Sequence, residues 1–543
     1  MKIIHINQLG YRPNDLKKAI IVTDNNKNDF MFQLINAADE KIIYEGTAGA
    51  AMFDAASKDI VRTADFSSFK EKGEFIITAD GEKSFPFVIN DNPYSDVRAA
   101  LLKMFDYQKC GVDIDCGIWS HPACHTSLAT IYGSDKKLDV SGGWHDAGDY
   151  GRYIVPAAKS AADLLLAYEF SPNPDPMLLE TTWFELEWML KMQDAETGGV
   201  YHKVSCKQFD ALDEMPQDER GELFLSPISP TATADFAAVM TLASRFYPEK
   251  KETLLAAAKR AWNWCEENPD APGFENPPDI RTGGYEDKSD KDERFWAACE
   301  LFTATGEEKY HDAVKKYFTF EPETITFPSG FSFKQPHAGF NWGFVNGYGL
   351  IAYILHAGKK ADGDLSNAMN KKILSACGDI MSKYKNDFYG ASLGERYMWG
   401  SMGFLGNNAM TLLLGCKAAE KIAMPALKDE IANMKQSALD HFHYIMGRNP
   451  LSQSYVTGFG SNATKNPHHR PSVAVKNAVP GMVAGGPNMH TKQDQALNDH
   501  CRKFNNELSP PKCYADRKES FSSNEITIYW NSPVYFIAAV LDF

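Results

Sequence analysis

Two periods divide the chain. Over residues 1–91 the apolar positions alternate or cluster in short runs, "KKAIIVT", "MFQLIN", "KIIYEG", "GEFIITA" and "SFPFVIN", with turn residues between them at close spacing. That is the pattern of half-buried antiparallel strands, and a sandwich of immunoglobulin type is their natural packing. "NDNPYSD" at 90–96 marks the junction, with Pro93 ending the last strand and Ser95 placed to cap a helix. Beyond it the period becomes helical. Helices are predicted near 96–108, 156–170, 177–193, 231–246, 250–266, 292–304, 307–317, 342–357, 366–384, 403–421, 426–446 and 527–541. Loops of very unequal length join them and carry most of the Gly, Pro, His and Trp. The expected architecture is multidomain: an all-β sandwich over 1–92, then an all-α barrel of paired helices over 93–543, with the site where the long loops converge. The 447–526 stretch has little periodicity, and a loop that long inside a compact domain is usually functional.

Composition narrows the function. A chain of 543 residues, 44% hydrophobic and 23% charged, is globular and too long for one small core. A net charge of −15 argues against nucleic acid or an anionic membrane as partner, since both need a basic face. Aromatics at 12%, with ten Trp and 23 Tyr, fit either a large core or a cleft whose rings stack on sugars. No apolar run approaches the roughly 18 residues of a membrane span. The opening "MKIIHINQLGYRP" lacks a signal-peptide series, which fits a cytoplasmic protein or a secreted one expressed without its leader. The ten cysteines stand singly, as buried reduced thiols do, rather than as a disulfide framework.

The candidate chemistry begins at "SGGWHDAGDYGRY", 141–153, where Asp146 and Asp149 stand three apart among glycines and aromatics. Like charges so close repel, and are tolerated where a metal, a proton or a water lies between them. Glu525, in "SSNEITIYWNSP", sits between a polar loop and an apolar run beside Tyr529 and Trp530. Apolar neighbours disfavour a charged carboxyl and raise its pKa, which suits a general acid. The aspartates, in a polar Gly-rich turn, are expected to stay ionised and serve as base. Two carboxyl environments pushed apart in this way suit hydrolysis of a glycosidic bond. From spacing alone, ordinary loop carboxylates fit as well.

"SGGWHDAGDYGRY", "GRNPLSQSYVTGFG" (447–460), "NPHHRPS" (466–472) and "NEITIYWNSP", in this order, resemble family 9 glycoside hydrolases, the inverting β-1,4-glucanases. "INQLGYRPNDLKKAIIV" at 6–22 is similar to the opening of the immunoglobulin-like module that precedes the catalytic domain in one bacterial subgroup. The resemblance spans nearly the whole chain. It implies an (α/α)6 barrel, Asp149 as catalytic base, Asp146 as its partner in holding the attacking water, and Glu525 as catalytic acid. His468 and Arg470 match sugar-binding residues at the cleavage point, and Trp342, Trp399 and Trp530 fall where the family keeps stacking aromatics.

Cys110, Cys124, His125 and His145 offer the ligand set of a closed tetrahedral zinc site. Their spacing is not that of a zinc finger, and buried thiols with structural histidines fit it too. The resemblance implies a structural zinc here, bracing the loop that carries the base, with Cys116 a less favoured ligand. It also implies calcium, for which Asp292 and Glu293 align. Gly343 stands where an acidic ligand is frequent, and Met402 follows "WGS" where Asn is common; both depart from the family pattern. The expected substrate is a β-1,4-glucan or cello-oligosaccharide, acted on by a monomer. The rival readings are an exo-acting glucosidase or glucosaminidase on short oligosaccharides, and a noncatalytic glucan-binding protein, which would need neither acid nor base.

Overall fold

The computed structural model describes residues 3–24, 29–318, 324–326, 332–334, 336–394, 396–422, 427–505 and 507–542. They form two compact units, one of residues 1–104, 380–409 and 436–543, the other of 105–379 and 410–435.

The first unit opens with ten strands: β1 (Ile4–His5), β2 (Gly10–Tyr11), β3 (Lys18–Val22), β4 (Met31–Asn36), β5 (Ile42–Thr47), β6 (Met52–Asp54), β7 (Asp59–Asp65), β8 (Gly73–Ala79), β9 (Glu82–Lys83) and β10 (Phe87–Ile89). One sheet runs β1-β3-β7-β6 and the other β2-β10-β8-β4-β5, with β9 beside β8. Alternation decides the inward face. In β8, Phe75, Ile77 and Ala79 are buried and their neighbours lie nearer solvent. Together with Ile21, Phe32, Leu34, Phe66 and Phe87 they form one core. The expected sandwich is therefore present.

Helices follow: α1 (Ser95–Tyr107), α2 (Ile154–Phe170), α3 (Met177–Lys191), α4 (Pro230–Ala243), α5 (Lys251–Glu267), α6 (Lys291–Thr305), α7 (Glu308–Tyr317), α8 (Asn346–His356), α9 (Gly363–Lys385), α10 (Ser401–Ile422), α11 (Lys428–Ile445), α12 (Arg470–Val475), α13 (Gln495–Arg502), α14 (Phe521–Asn524) and α15 (Ile528–Val540). The helical period read from the sequence recovers α1–α11 and α15 to within a few residues. The short α12–α14 lie in the 447–526 stretch, where too few turns exist to show a period.

Within the second unit, burial alternates from helix to helix. All fourteen residues of α4 are buried, and α2, α6 and α8 are buried over most of their length. A helix apolar all round belongs inside. The intervening α3, α5 and α7 bury one face each. Three inner helices pack on the outer helix that follows them, α2 on α3, α4 on α5 and α6 on α7. The inner helices also pack on one another in sequence, α2 on α4, α4 on α6 and α6 on α8. Pairing of this kind is what an all-α domain of helix hairpins requires. Asp163 of α2 takes hydrogen bonds from Lys159 and, at 2.5 Å, from Tyr348 of α8, so the buried charge is paired.

The loops of this unit hold a small sheet that was not expected. Its strands are β11 (Ala129–Ile131), β12 (Lys137–Leu138), β13 (Arg152–Tyr153), β14 (Lys203–Ser205) and β15 (Phe224–Leu225), in the order β12-β11-β15-β14-β13. Strands of two or three residues are too short to display alternation. A hairpin of β16 (Thr324–Thr326) and β17 (Ser332–Lys334) completes the elements.

In the first unit the last helix is a keystone. Asn531 of α15 accepts from Val483 N at 2.8 Å and donates to Leu101 O and Gly481 O, each at 3.0 Å. Asn531→Ala would remove three buried hydrogen bonds at a cost of about 3 kcal/mol. The variant should melt several degrees below the parent in a calorimetric scan.

Candidate functional site

In the second unit, the segment 141–151 has no regular structure, so its backbone groups must find partners elsewhere. His145 N donates to Gln108 O at 2.7 Å, and Gln108 Nε2 donates to His145 O and Ala147 O, both at 2.9 Å. Trp144 N donates to the Glu185 carboxylate at 2.5 Å, and Asp146 N to Gly151 O at 3.0 Å. Gly143 has φ +77, and a Cβ there would stand 2.5 Å from the Trp188 ring. Only glycine fits that approach.

The two aspartates are buried side by side at this segment's end. Asp149 Oδ2 accepts from Tyr153 OH and from Gly151 N, each at 3.3 Å. Asp146 Oδ2 accepts a short hydrogen bond from Tyr285 OH, and its Oδ1 is buried with no hydrogen-bond partner. Burial, with the Asp149 charge adding to it, pushes the Asp146 carboxyl well above the usual carboxylate range against the opposing pull of Tyr285. The expectation that both aspartates stay ionised is thus corrected for Asp146. Its turn is polar in sequence but closed to water. Tyr285 in turn meets Tyr153 at 4.9 Å and the half-buried Trp342 at 5.1 Å, both edge-on.

Cys110, Cys124, His125 and His145 converge, their ligand atoms all within 4.8 Å of one another. They are the one such group among the described residues. The two thiols stand 3.9 Å apart, and Cys124 Sγ lies 3.8 Å from His145 Nε2. The neighbouring Cys110 thiol holds Cys124 below the usual thiol range, which favours the thiolate that a metal needs. His125 Nε2 bonds the Glu219 carboxylate at 2.8 Å, while its Nδ1 is buried without a hydrogen bond. A carboxylate on the far nitrogen is how a metal-binding imidazole is oriented. Cys116 stands apart, beside Tyr107.

Asp292 and Glu293 open α6, both buried. Asp292 Oδ2 accepts from Val345 N at 2.7 Å. Burial, with Asp287 adding to it, pushes the Asp292 carboxyl up to about 7. Asp235 is buried beside them with neither oxygen hydrogen-bonded. These carboxylates are crowded, yet do not converge as the Cys/His set does.

In the first unit, α14 delivers Glu525, half-buried, next to His468 in a parallel bridge. His468 N donates to Asn524 O, and Gly485 N to Glu525 O, each at 2.8 Å. Asp494 holds the start of α14, accepting from Ser522 N at 2.9 Å and from the Ser520 and Ser522 hydroxyls. Trp399 Nε1 donates to Glu525 Oε2 at 3.1 Å, and the Trp399 ring is 43% exposed. Arg470 is buried at the head of α12. Trp530 is different. It is 5% exposed, and Cβ atoms at Gly400 and Gly403 would stand 2.7 and 2.2 Å from its indole. It is wedged against glycine backbone, so its faces are closed to a sugar.

Residues 94–538 match the family model for glycosyl hydrolase family 9. The chain belongs to that family. Residues 1–84 match the cellulase N-terminal ig-like domain. This family 9 glycoside hydrolase is 34% identical to a cellodextrinase of Butyrivibrio fibrisolvens, over 99% of both chains. It is 33% identical to endoglucanase D of Acetivibrio thermocellus, over 99% of this chain and 83% of that one. A solved structure of a thermostable endoglucanase variant from Alicyclobacillus acidocaldarius superposes over all of both chains, with TM-score 0.88 and 34% identity. A zinc-binding triple mutant of the family 9 endoglucanase J30 superposes with TM-score 0.84 at 28% identity, over 97% of this chain and 99% of that one.

Tyr285, Tyr153, Lys203 and Glu219 escaped the sequence reading. Tyr285 lies in "GGYED", shortly before Asp292, and the two glycines ahead of it were the only available signal. The two tryptophans near Glu525 should respond differently. Trp530→Ala should lose about 3–5 kcal/mol of stability, seen as an early thermal transition. Trp399→Ala should melt like the parent and instead raise KM for a cello-oligosaccharide.

Proposed function

We propose that this enzyme hydrolyses β-1,4-glucosidic bonds with inversion, Glu525 acting as general acid and Asp149 as general base. The observation that carries it is the pair of carboxyl settings. Asp149 is held by two donors at a buried turn, and Glu525 is held by the indole N–H of an exposed tryptophan. Glu525 would protonate the departing glycosidic oxygen while Asp149 takes a proton from water attacking the anomeric carbon. Asp146, turned by Tyr285, offers Oδ1 to position that water. His468, Arg470, Trp399 and Trp342 would bind the sugar chain.

Endoglucanase activity is the reading we carry forward, supported by the relatives named endoglucanases. A cellodextrinase on short soluble chains is the second reading, favoured by the 34% identity to an enzyme of that name over both full lengths. A rapid fall in viscosity of soluble cellulose favours the first; release of terminal units from cellopentaose with unchanged viscosity favours the second. Asp149→Ala and Glu525→Ala should each cut kcat on an unactivated glucan at least about a hundredfold. Glu525→Ala should be milder on a nitrophenyl glycoside, whose leaving group needs little protonation. Proton NMR should find the first-formed sugar as the α-anomer, and a β-anomer would overturn the assignment.

Zinc fits the Cys/His set. Two thiols, two imidazoles and the orphaned His125 Nδ1 match a closed site, which supplies structure rather than reaction chemistry. Held by Cys110, Cys124, His125 and His145, it would brace the segment that carries Asp146 and Asp149. Calcium at Asp292 and Glu293 is the complementary proposal, supported by the uncompensated oxygens of Asp235 beside them. Elemental analysis should find about one zinc per chain, with calcium as a second metal. Cys110→Ser should remove the zinc and lower the melting temperature before activity falls; a parent protein without zinc refutes the site.

A further inference from the structure

Behind the aspartates lies a fully buried cation that the mechanism above leaves unused. Lys203 of β14 faces Tyr153 of β13 across the ladder and is 0% exposed. Its Nζ meets three oxygens: Thr282 O at 3.3 Å, Thr282 Oγ1 at 3.1 Å and Gly283 O at 2.5 Å. Three acceptors match the three donors of an ammonium. None of them is a carboxylate, so no hydrogen-bonded anion neutralises the charge. A buried lysine is expensive to ionise, and burial lowers Lys203 to about 7 against the pull of Asp149 and Glu286. Tyr153, whose hydroxyl donates to Asp149, has its ring centroid 5.4 Å from the same Nζ.

The oxygens that Lys203 binds belong to the strap that carries Tyr285. That residue has φ +50, a left-handed conformation a tyrosine adopts only when its surroundings hold it there. β14 and its lead-in supply the hold. His202 Nε2 bonds Gly284 O at 2.8 Å, with its ring stacked on Phe274 at 3.7 Å, and Ser205 Oγ meets Thr282 Oγ1 at 2.8 Å. Lys203 makes three more bonds to two consecutive residues. From this strap the Tyr285 hydroxyl reaches Asp146.

We propose that Lys203 is a positioning residue for hydrolysis: its ammonium ties Thr282–Gly283 in place, so that Tyr285 lies against Asp146, and sets a positive charge in the surroundings of Asp149. This rests on the reading of Asp149 as base. The charged or titratable groups facing this cation are Asp149 and Glu286, with His202 adjacent on the chain and Tyr153 alongside; those facing Asp149 include Lys203, Asp146 and Tyr153. Loss of the cation removes a favourable charge from the surroundings of Asp149, so the limb set by the base should move to higher pH.

The test uses the full chain and two variants. Lys203→Met removes charge and donors at similar volume, while Lys203→Gln keeps donors and drops only the charge, so it stays informative if the methionine variant misfolds. The acid limb of kcat/KM against pH reports the base in the free enzyme. It should move to higher pH by about half a unit or more in each folded variant. At neutral pH, kcat should fall about tenfold or more with KM within about threefold. Amides of 282–286 should exchange with deuterium faster in Lys203→Met than in the parent. An acid limb that stays put in folded Lys203→Gln overturns the proposal whatever happens to kcat, because packing alone does not move it. Asp149→Ala separates the two failures: if that variant, with Lys203 intact, still hydrolyses glucan normally, the base assignment itself is wrong.

Discussion

Keeping two carboxyl groups together beneath a surface is the constraint around which the second unit is arranged. Burying Asp146 and Asp149 side by side away from water is costly, so an unsupported turn would open and let them reach solvent. The chain prevents this by satisfying the turn's backbone from outside it. Gln108 takes three of those bonds and Glu185 another, while Arg152 Nη1 donates to Val140 O and Gly142 O at 2.8 and 2.7 Å. The aspartate side chains are then gripped by hydroxyls from a neighbouring residue and from a distant strap. The Cys/His cluster belongs to the same scheme, since His145 is joined directly to Asp146. One short peptide is thus pinned by helix ends, a buried acid, a metal-competent cluster and a lysine-bound strap.

Glu525 obeys a different logic. It is half-buried, and its place is fixed by what precedes and follows it. Asp494 collects the turn before it, and Thr527 caps α15 after it by accepting from Trp530 N at 3.1 Å. Trp530 then fills the space under Gly400 and Gly403. A large ring against bare backbone leaves little freedom, and the rigidity passes to the residue five positions earlier.

The legible parts of this protein are those whose physics is local. Helices α1–α11 show themselves because ten or more residues repeat one period, and the β8 run "GEFIITA" alternates within its own length. Asp146, Asp149 and Glu525 stand out because each sits in a dense local motif. The two-residue strand β13 has no length in which to alternate, and so the sheet that aligns Tyr153 with Lys203 is silent in sequence. Lys203, Tyr285 and Glu219 come from segments tens of residues away from the turns they support. Nothing at those positions distinguishes them from solvated residues until the chain is folded. The error over Asp146 has the same origin: local polarity says nothing about a lid of remote aromatics. Trp530 looked like a stacking surface because the glycines that enclose it are more than a hundred positions earlier.

The discontinuity of the first unit bears on how the molecule is made. Its sandwich is bonded to segments from the far end of the chain: Gln8 Nε2 donates to Ser452 O at 2.7 Å, Asn462 N to Gln8 Oε1 at 2.8 Å, and Lys512 pairs with Asp59 at 2.5 Å. During synthesis the strands leave the ribosome first and meet these partners only after more than three hundred further residues have been added. Until then the sandwich faces water with side chains meant for contact, and the turn bearing Glu525 does not yet exist. A chain stopped before residue 436 therefore lacks not merely a tail but the whole closing segment of that unit. Such a fragment would present itself to the cell's chaperones and proteases as unfinished, so that truncated product is removed rather than accumulated as a half-active enzyme.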